Sequence, residues 1–77
     1  MPLKVVTLKE IERIFTVIDR LGVSREAVVI PLKPATPGSV RKMPNGKYEI
    51  VVDAEQPLDD FLVELERRLH ELGAVAS

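Results

Sequence analysis

Apolar positions recur along this chain with two different periods. Leu8, Ile11, Ile14, Phe15, Ile18 and Leu21 fall at helical spacing, so the pattern predicts a helix over residues 8–21. Thr7 and Glu10 stand three apart at its start and form a capping box, which satisfies two N–H groups that a helix start leaves unbonded. Gly22 suits the left-handed residue that closes a helix. With Val17 included, the apolar arc covers about half the circumference, against roughly 100° for a helix resting on one sheet. The surplus face therefore predicts a second contact, either with another helix or with another subunit.

Ala27, Val28, Val29 and Ile30 form a continuous β-branched run, read as a strand buried on both sides. The segment after it holds Pro31, Pro34 and Pro37, which end a ladder because proline has no N–H. Their spacing is that of a polyproline II helix, a form that an aromatic groove can read, or simply a rigid crossover. Asn45-Gly46 signals a two-residue type I′ hairpin turn. In that register Met43 faces Tyr48, Lys42 faces Glu49, and residues 40–43 pair with 47–53.

The last element is a helix opened by Pro57, Asp59 and Asp60 and closed by Gly73, with Arg67, Arg68 and His70 in its final turns. Leu58, Leu62, Leu65, Leu69 and Leu72 step by 4, 3, 4 and 3 beside Phe61, a two-heptad leucine seam. Val63 lies on the opposite, polar side. Glu64 and Arg68 are placed for an i,i+4 pair. The sequence thus predicts a single α+β domain over residues 1–77. Its order is α-β-β-β-α, a two-layer sandwich whose three-stranded antiparallel sheet carries both helices on one face. The ends, residues 1–6 and 74–77, read as loose.

A chain of 77 residues has a small core, about 3–5 kcal/mol of stabilisation at this size. Such domains gain support from disulfides, metals or self-association. Cysteine is absent, which removes the first device and every cysteine-based site. Self-association remains, and a homodimer is expected through Ile14, Val17, Leu21 and Val63. Met1-Pro2-Leu3-Lys4 carries no signal-peptide pattern, so a cytoplasmic location is expected. No apolar run reaches the roughly 18 residues of a membrane span. One Asn and one Gln among many Glu, Lys and Arg give a thermophile-like composition.

Eleven basic and twelve acidic side chains nearly balance, but they are segregated. Lys33, Arg41, Lys42 and Lys47 are all positive, whereas Glu49, Asp53, Glu55, Asp59, Asp60, Glu64 and Glu66 are all negative. The cations suit a basic β-ribbon on nucleic acid, or they guard a sheet edge against pairing with other chains. Tyr48 alone offers base stacking nearby.

The element order resembles that of double-stranded-RNA-binding domains and of HicA-type toxin RNases. The resemblance covers most of the chain as an order of elements and implies RNA binding or cleavage. Gln56-Pro57-Leu58-Asp59-Asp60 stands where the RNA binders have lysines. Gly38-Ser39-Val40 stands where the toxins have Gly-Ser-His, so a relative of that family would lack its catalytic histidine. Leu69-His70-Glu71-Leu72-Gly73-Ala74 resembles the zinc helix of small peptidases, but Ala74 occupies the place of the second ligand. Asp53, Glu55, Asp59 and Asp60 read as helix N-terminal charges rather than as a cation site. Neither a nucleophile elbow nor a phosphate loop occurs. The expected function is a non-enzymatic interaction or structural module, with no cofactor and no metal. Its partner is a second copy or another protein, and nucleic acid is the alternative.

Overall fold

The computed structural model describes residues 5–75. Helix α1 spans Leu8–Arg20, a 3-10 turn spans Arg25–Ala27, and strands β1, β2 and β3 span Val28–Val29, Ser39–Lys42 and Tyr48–Val51. Helix α2 spans Leu58–Glu71. The class is α+β, as the sequence pattern requires.

Both helices start and stop where local chemistry directs. The Thr7 hydroxyl accepts from Glu10 N at 3.2 Å, and the Glu10 carboxylate accepts from Thr7 N at 2.9 Å, completing the capping box. At the other end Gly22 has φ +78°. Val23 N donates to Ile18 O at 2.9 Å and Gly22 N to Asp19 O at 3.1 Å, which is a Schellman closure. Gly73 repeats it after α2, with Ala74 N donating to Leu69 O at 3.0 Å.

The sheet is mixed, not antiparallel. Its order is β1-β3-β2, with β1 parallel and β2 antiparallel to β3. Of the two hairpin strands the more apolar takes the central position, because a central strand has neighbours on both edges. Tyr48-Glu49-Ile50-Val51-Val52 meets that need better than Ser39-Val40-Arg41-Lys42. β1 lies at an edge, so Ala27, Val28, Val29 and Ile30 are only half-buried; the doubly buried strand expected from their run is not formed.

The hairpin register also differs from the sequence expectation. Arg41 lies opposite Glu49 and Lys42 opposite Tyr48. Pro44 explains the shift. Its fixed φ suits the second position of a type I turn, and Gly46 N donates to Met43 O at 3.0 Å. Gly46 then takes φ +86°, while Asn45 keeps a negative φ, so this is a three-residue loop with a glycine bulge. Lys47 N donates to the Asn45 side-chain oxygen at 2.9 Å.

Between β1 and β2 the chain crosses the end of β3. Ala35 forms a parallel bridge with Asp53, its N–H donating to Val52 O at 3.0 Å. Gly38 then passes so close that a Cβ there would lie 2.6 Å from Asp53 N and 2.7 Å from Val51 O. Only glycine fits without displacing main chain.

The buried core gathers Val6, Ile14, Ile18, Val23, Val40, Ile50, Val52, Phe61, Leu62, Leu65 and Leu69. Arg13 pairs with Asp59, and Arg20 pairs with Glu66 at 2.8 Å. Both numbers advance by seven from one pair to the next (13 to 20, 59 to 66), so α1 and α2 run parallel, and the pairs sit two turns apart on each helix. Of the ends read as loose, Val6 is buried and donates its N–H to Leu32 O at 2.8 Å. Ala74 and Val75 pack on the core; residues 1–4 and 76–77 lie outside the described residues.

Candidate interaction surfaces

No pocket opens among the described residues, and no three metal-binding side chains converge there. Nor is any described helix long and apolar enough to cross a membrane. Chemistry must therefore be sought on the outer surface.

The wide apolar arc of α1 is largely absorbed by its own subunit. Ile14 is 0% exposed, so it offers nothing to a second copy, contrary to its assignment from sequence. Ile11, Phe15, Val17 and Leu21 are half-buried against the core. Part of the surplus is covered by a cation rather than a helix. The Arg25 guanidinium lies 4.8 Å from the centroid of the Phe15 ring, a cation–π contact. Arg25 also grips Asp19 with two hydrogen bonds, Nε to Oδ1 at 3.2 Å and Nη2 to Oδ2 at 2.6 Å. Those hydrogen bonds hold the Asp19 carboxyl below its ordinary value. They also offset a carboxylate near a helix C-terminus, where the macrodipole disfavours it.

Large aliphatic side chains do reach solvent at Val5 (54%), Leu8 (71%), Leu32 (59%) and Val63 (71%). The first three belong to one end of the molecule. Val6 bonds Leu32 through the main chain, which brings the flanking Val5 and the helix-opening Leu8 to the same edge of the fold. Val63 projects alone from α2.

The four predicted cations do not form one patch. Lys42 and Lys47 flank the hairpin turn, exposed and without an ion pair among the described residues. Arg41 Nε donates to Glu49 Oε1 at 2.8 Å, so its charge is largely spent on its cross-strand neighbour. Lys33 follows β1, near the level where Ala35 meets Asp53, at the opposite end of β3 from the hairpin.

The acidic stretch is structural at Asp53. Asp53 Oδ2 accepts from Gly38 N at 2.9 Å, and Oδ1 accepts from Glu55 N at 2.8 Å and Gln56 N at 2.9 Å. This one carboxylate ties the crossover to the approach of α2. Glu64 pairs with Arg67, not with Arg68 as its spacing suggested, and the Arg67 hydrogen bond lowers its pKa. Arg67 also reaches Glu71 at 3.0 Å.

Arg68 is the residue that sequence reasoning missed. Its Nη2 donates to Val40 O at 3.4 Å, reaching from α2 to the strand beneath. Its sequence signal was its place beside Leu65 and Leu69 on the flank of the leucine seam, where a long cation can leave the helix for a neighbouring element.

Compared with known proteins, the chain matches no family model, no curated protein and no solved structure.

Proposed function

We infer that this protein is a small non-enzymatic interaction module that self-associates, with α1 and α2 layered on one face of the sheet. The layering is supported by core membership. Val40, Ile50 and Val52 join Ile14, Ile18, Phe61 and Leu65 in the core, whereas Arg41, Glu49, Val29 and Val51 stand outside it. A single 77-residue domain of this kind has a small reserve of stability, and cysteine-free composition fits a reducing, cytoplasmic compartment.

The observation that carries self-association is the exposure of Val5, Leu8 and Leu32 around the main-chain bond from Val6 to Leu32. Apolar groups grouped at one site on a small surface mark a contact. Val17 and Leu21 retain partial exposure on the same helix, and Val63 offers a separate point on α2. Ile14 has no part in the surface. In the test, Leu8→Glu and Leu32→Glu are compared with wild type by gel filtration with light scattering. A drop to the mass of one chain in both variants, with unchanged circular dichroism, supports the interface; an unchanged mass removes it.

Nucleic acid is the second reading, supported by exposed Lys42 and Lys47 beside the hairpin. Filter binding across a salt series tests it. No retention at low salt, or no loss in Lys42→Ala with Lys47→Ala, rules it out.

A further inference from the structure

We propose that the outer edge of β2 is a docking strand for an extended acidic segment of a partner protein, added as a fourth strand and read by Arg68. This site is separate from the aliphatic end, which lies on the β1 side of the sheet.

The edge is defined by the hydrogen-bond ladder. Met43 N donates to Lys47 O at 2.7 Å, so Met43–Lys47 is a hydrogen-bonded pair. Alternation in an antiparallel ladder then makes Arg41–Glu49 and Ser39–Val51 bonded pairs as well. Val40 and Lys42 consequently direct their N–H and C=O groups away from β3. Among the described residues no strand lies beyond β2. Val40 O, not used by β3, accepts from Arg68 Nη2 at 3.4 Å.

An edge of this kind takes an extended chain through its main-chain groups, and its side chains select which chain. Here the selecting charges are Lys42, Lys47 and Arg68, since Arg41 is paired with Glu49 across the ladder. The neighbouring acids of α2 make their ion pairs elsewhere, Glu64 and Glu71 both with Arg67, and Glu64 reaches Arg68 only through its field. The charge complement of this edge is a strand carrying alternate Asp or Glu.

A second copy fits poorly at the same place. Two-fold antiparallel pairing centred on Arg41 or Lys42 sets like charges directly opposite, which is destabilising. Pairing centred on Val40 brings the Arg68 side chains of both copies onto one site. Arg68 therefore serves two states. Without a partner it covers an edge acceptor, a usual defence of edge strands. With an acidic strand present it gives up one long hydrogen bond for a charge-assisted pair with a carboxylate.

The probe is a fluorescein-labelled peptide alternating Glu and Val, titrated against the full chain by anisotropy and by amide chemical shifts. Saturable binding is expected, weakening as salt is raised, with shifts centred on Val40 and Lys42. Arg68→Ala and Lys42→Ala each weaken it about three- to fivefold, the size of a single exposed charge pair. The same peptide methylated on alternate backbone nitrogens does not bind. Several results overturn the proposal: no saturation at any accessible concentration, equal binding of the methylated peptide, or tighter binding by Arg68→Ala, which leaves Arg68 a guard only. It also falls if the same amides shift with protein concentration alone, or if poly(U) binds them in preference to the peptide. The titration reads peptide capture and light scattering reads chain mass, so either idea can fail without the other.

Discussion

Gly38→Ala tests whether the crossover holds the mixed sheet together. The added methyl would lie 2.6 Å from Asp53 N, 2.7 Å from Val51 O and 2.8 Å from Asp53 Cα. All three are main-chain atoms of the strand end, so no flexible side chain can yield. Ordinary contact begins near 3.4 Å, and the two segments must part by about 0.8 Å. That movement breaks the bond from Gly38 N to the Asp53 carboxylate, 2.9 Å long. A hydrogen bond to a charged group contributes roughly 1.5–3 kcal/mol, and overpacking costs roughly 1–3 kcal/mol more. A loss of about 3–5 kcal/mol is expected, comparable to the roughly 3–5 kcal/mol that a core of this size supplies. In a thermal melt followed by circular dichroism the midpoint falls by at least about 12 °C. Gly22→Ala is the control, since nothing lies within 4 Å of its Cβ and only its φ of +78° resists; it costs about 1–2 kcal/mol. Equal effects at the two glycines would refute the close passage at Gly38.

Asp53→Ala removes the acceptor for three main-chain N–H groups and costs about 2–3 kcal/mol by urea unfolding; Asp53→Asn, which keeps one acceptor oxygen, loses about half as much. Leu65→Ala, at a side chain 0% exposed, costs about 2–5 kcal/mol, whereas Val63→Ala at the solvent face changes the urea midpoint little. Asp19 and Glu64 titrate below their ordinary values of 3.8 and 4.5 because Arg25 and Arg67 hydrogen-bond their charged forms. Their contributions are complete above those ordinary values and are lost as pH falls through the lowered ones. Stability measured from pH 5 to pH 2 therefore falls less steeply in the Asp19→Asn, Glu64→Gln variant than in wild type; parallel curves would show that these pairs do not stabilise the fold.

What the sequence makes legible here is local. Capping at Thr7 and Glu10, closure at Gly22 and Gly73, and the leucine seam of α2 each depend on residues within one or two turns, and each is found as read. Partner choice over longer distance is not legible in the same way. β1 pairs with β3 rather than β2 because two strands compete for one central place, and the answer depends on which is more apolar. The hairpin slipped because Pro44 competes with Asn45-Gly46 for the turn. Among the candidate site residues, Ile14 was misassigned because a wide arc does not reveal which part its own subunit covers. Arg25, ten residues beyond Phe15, covers some of it by a contact that periodicity does not encode. Arg68 escaped notice because Glu64 offered a nearer partner at the favoured spacing.

Self-association is decided most directly by sedimentation equilibrium of the wild-type chain over a range of micromolar concentrations. The expected mass is twice 8.6 kDa, falling to a single chain in Leu8→Glu. A mass of 8.6 kDa at every concentration would mean that the aliphatic end at Val5, Leu8 and Leu32 is simply tolerated exposure, and the proposed module would lose its interface.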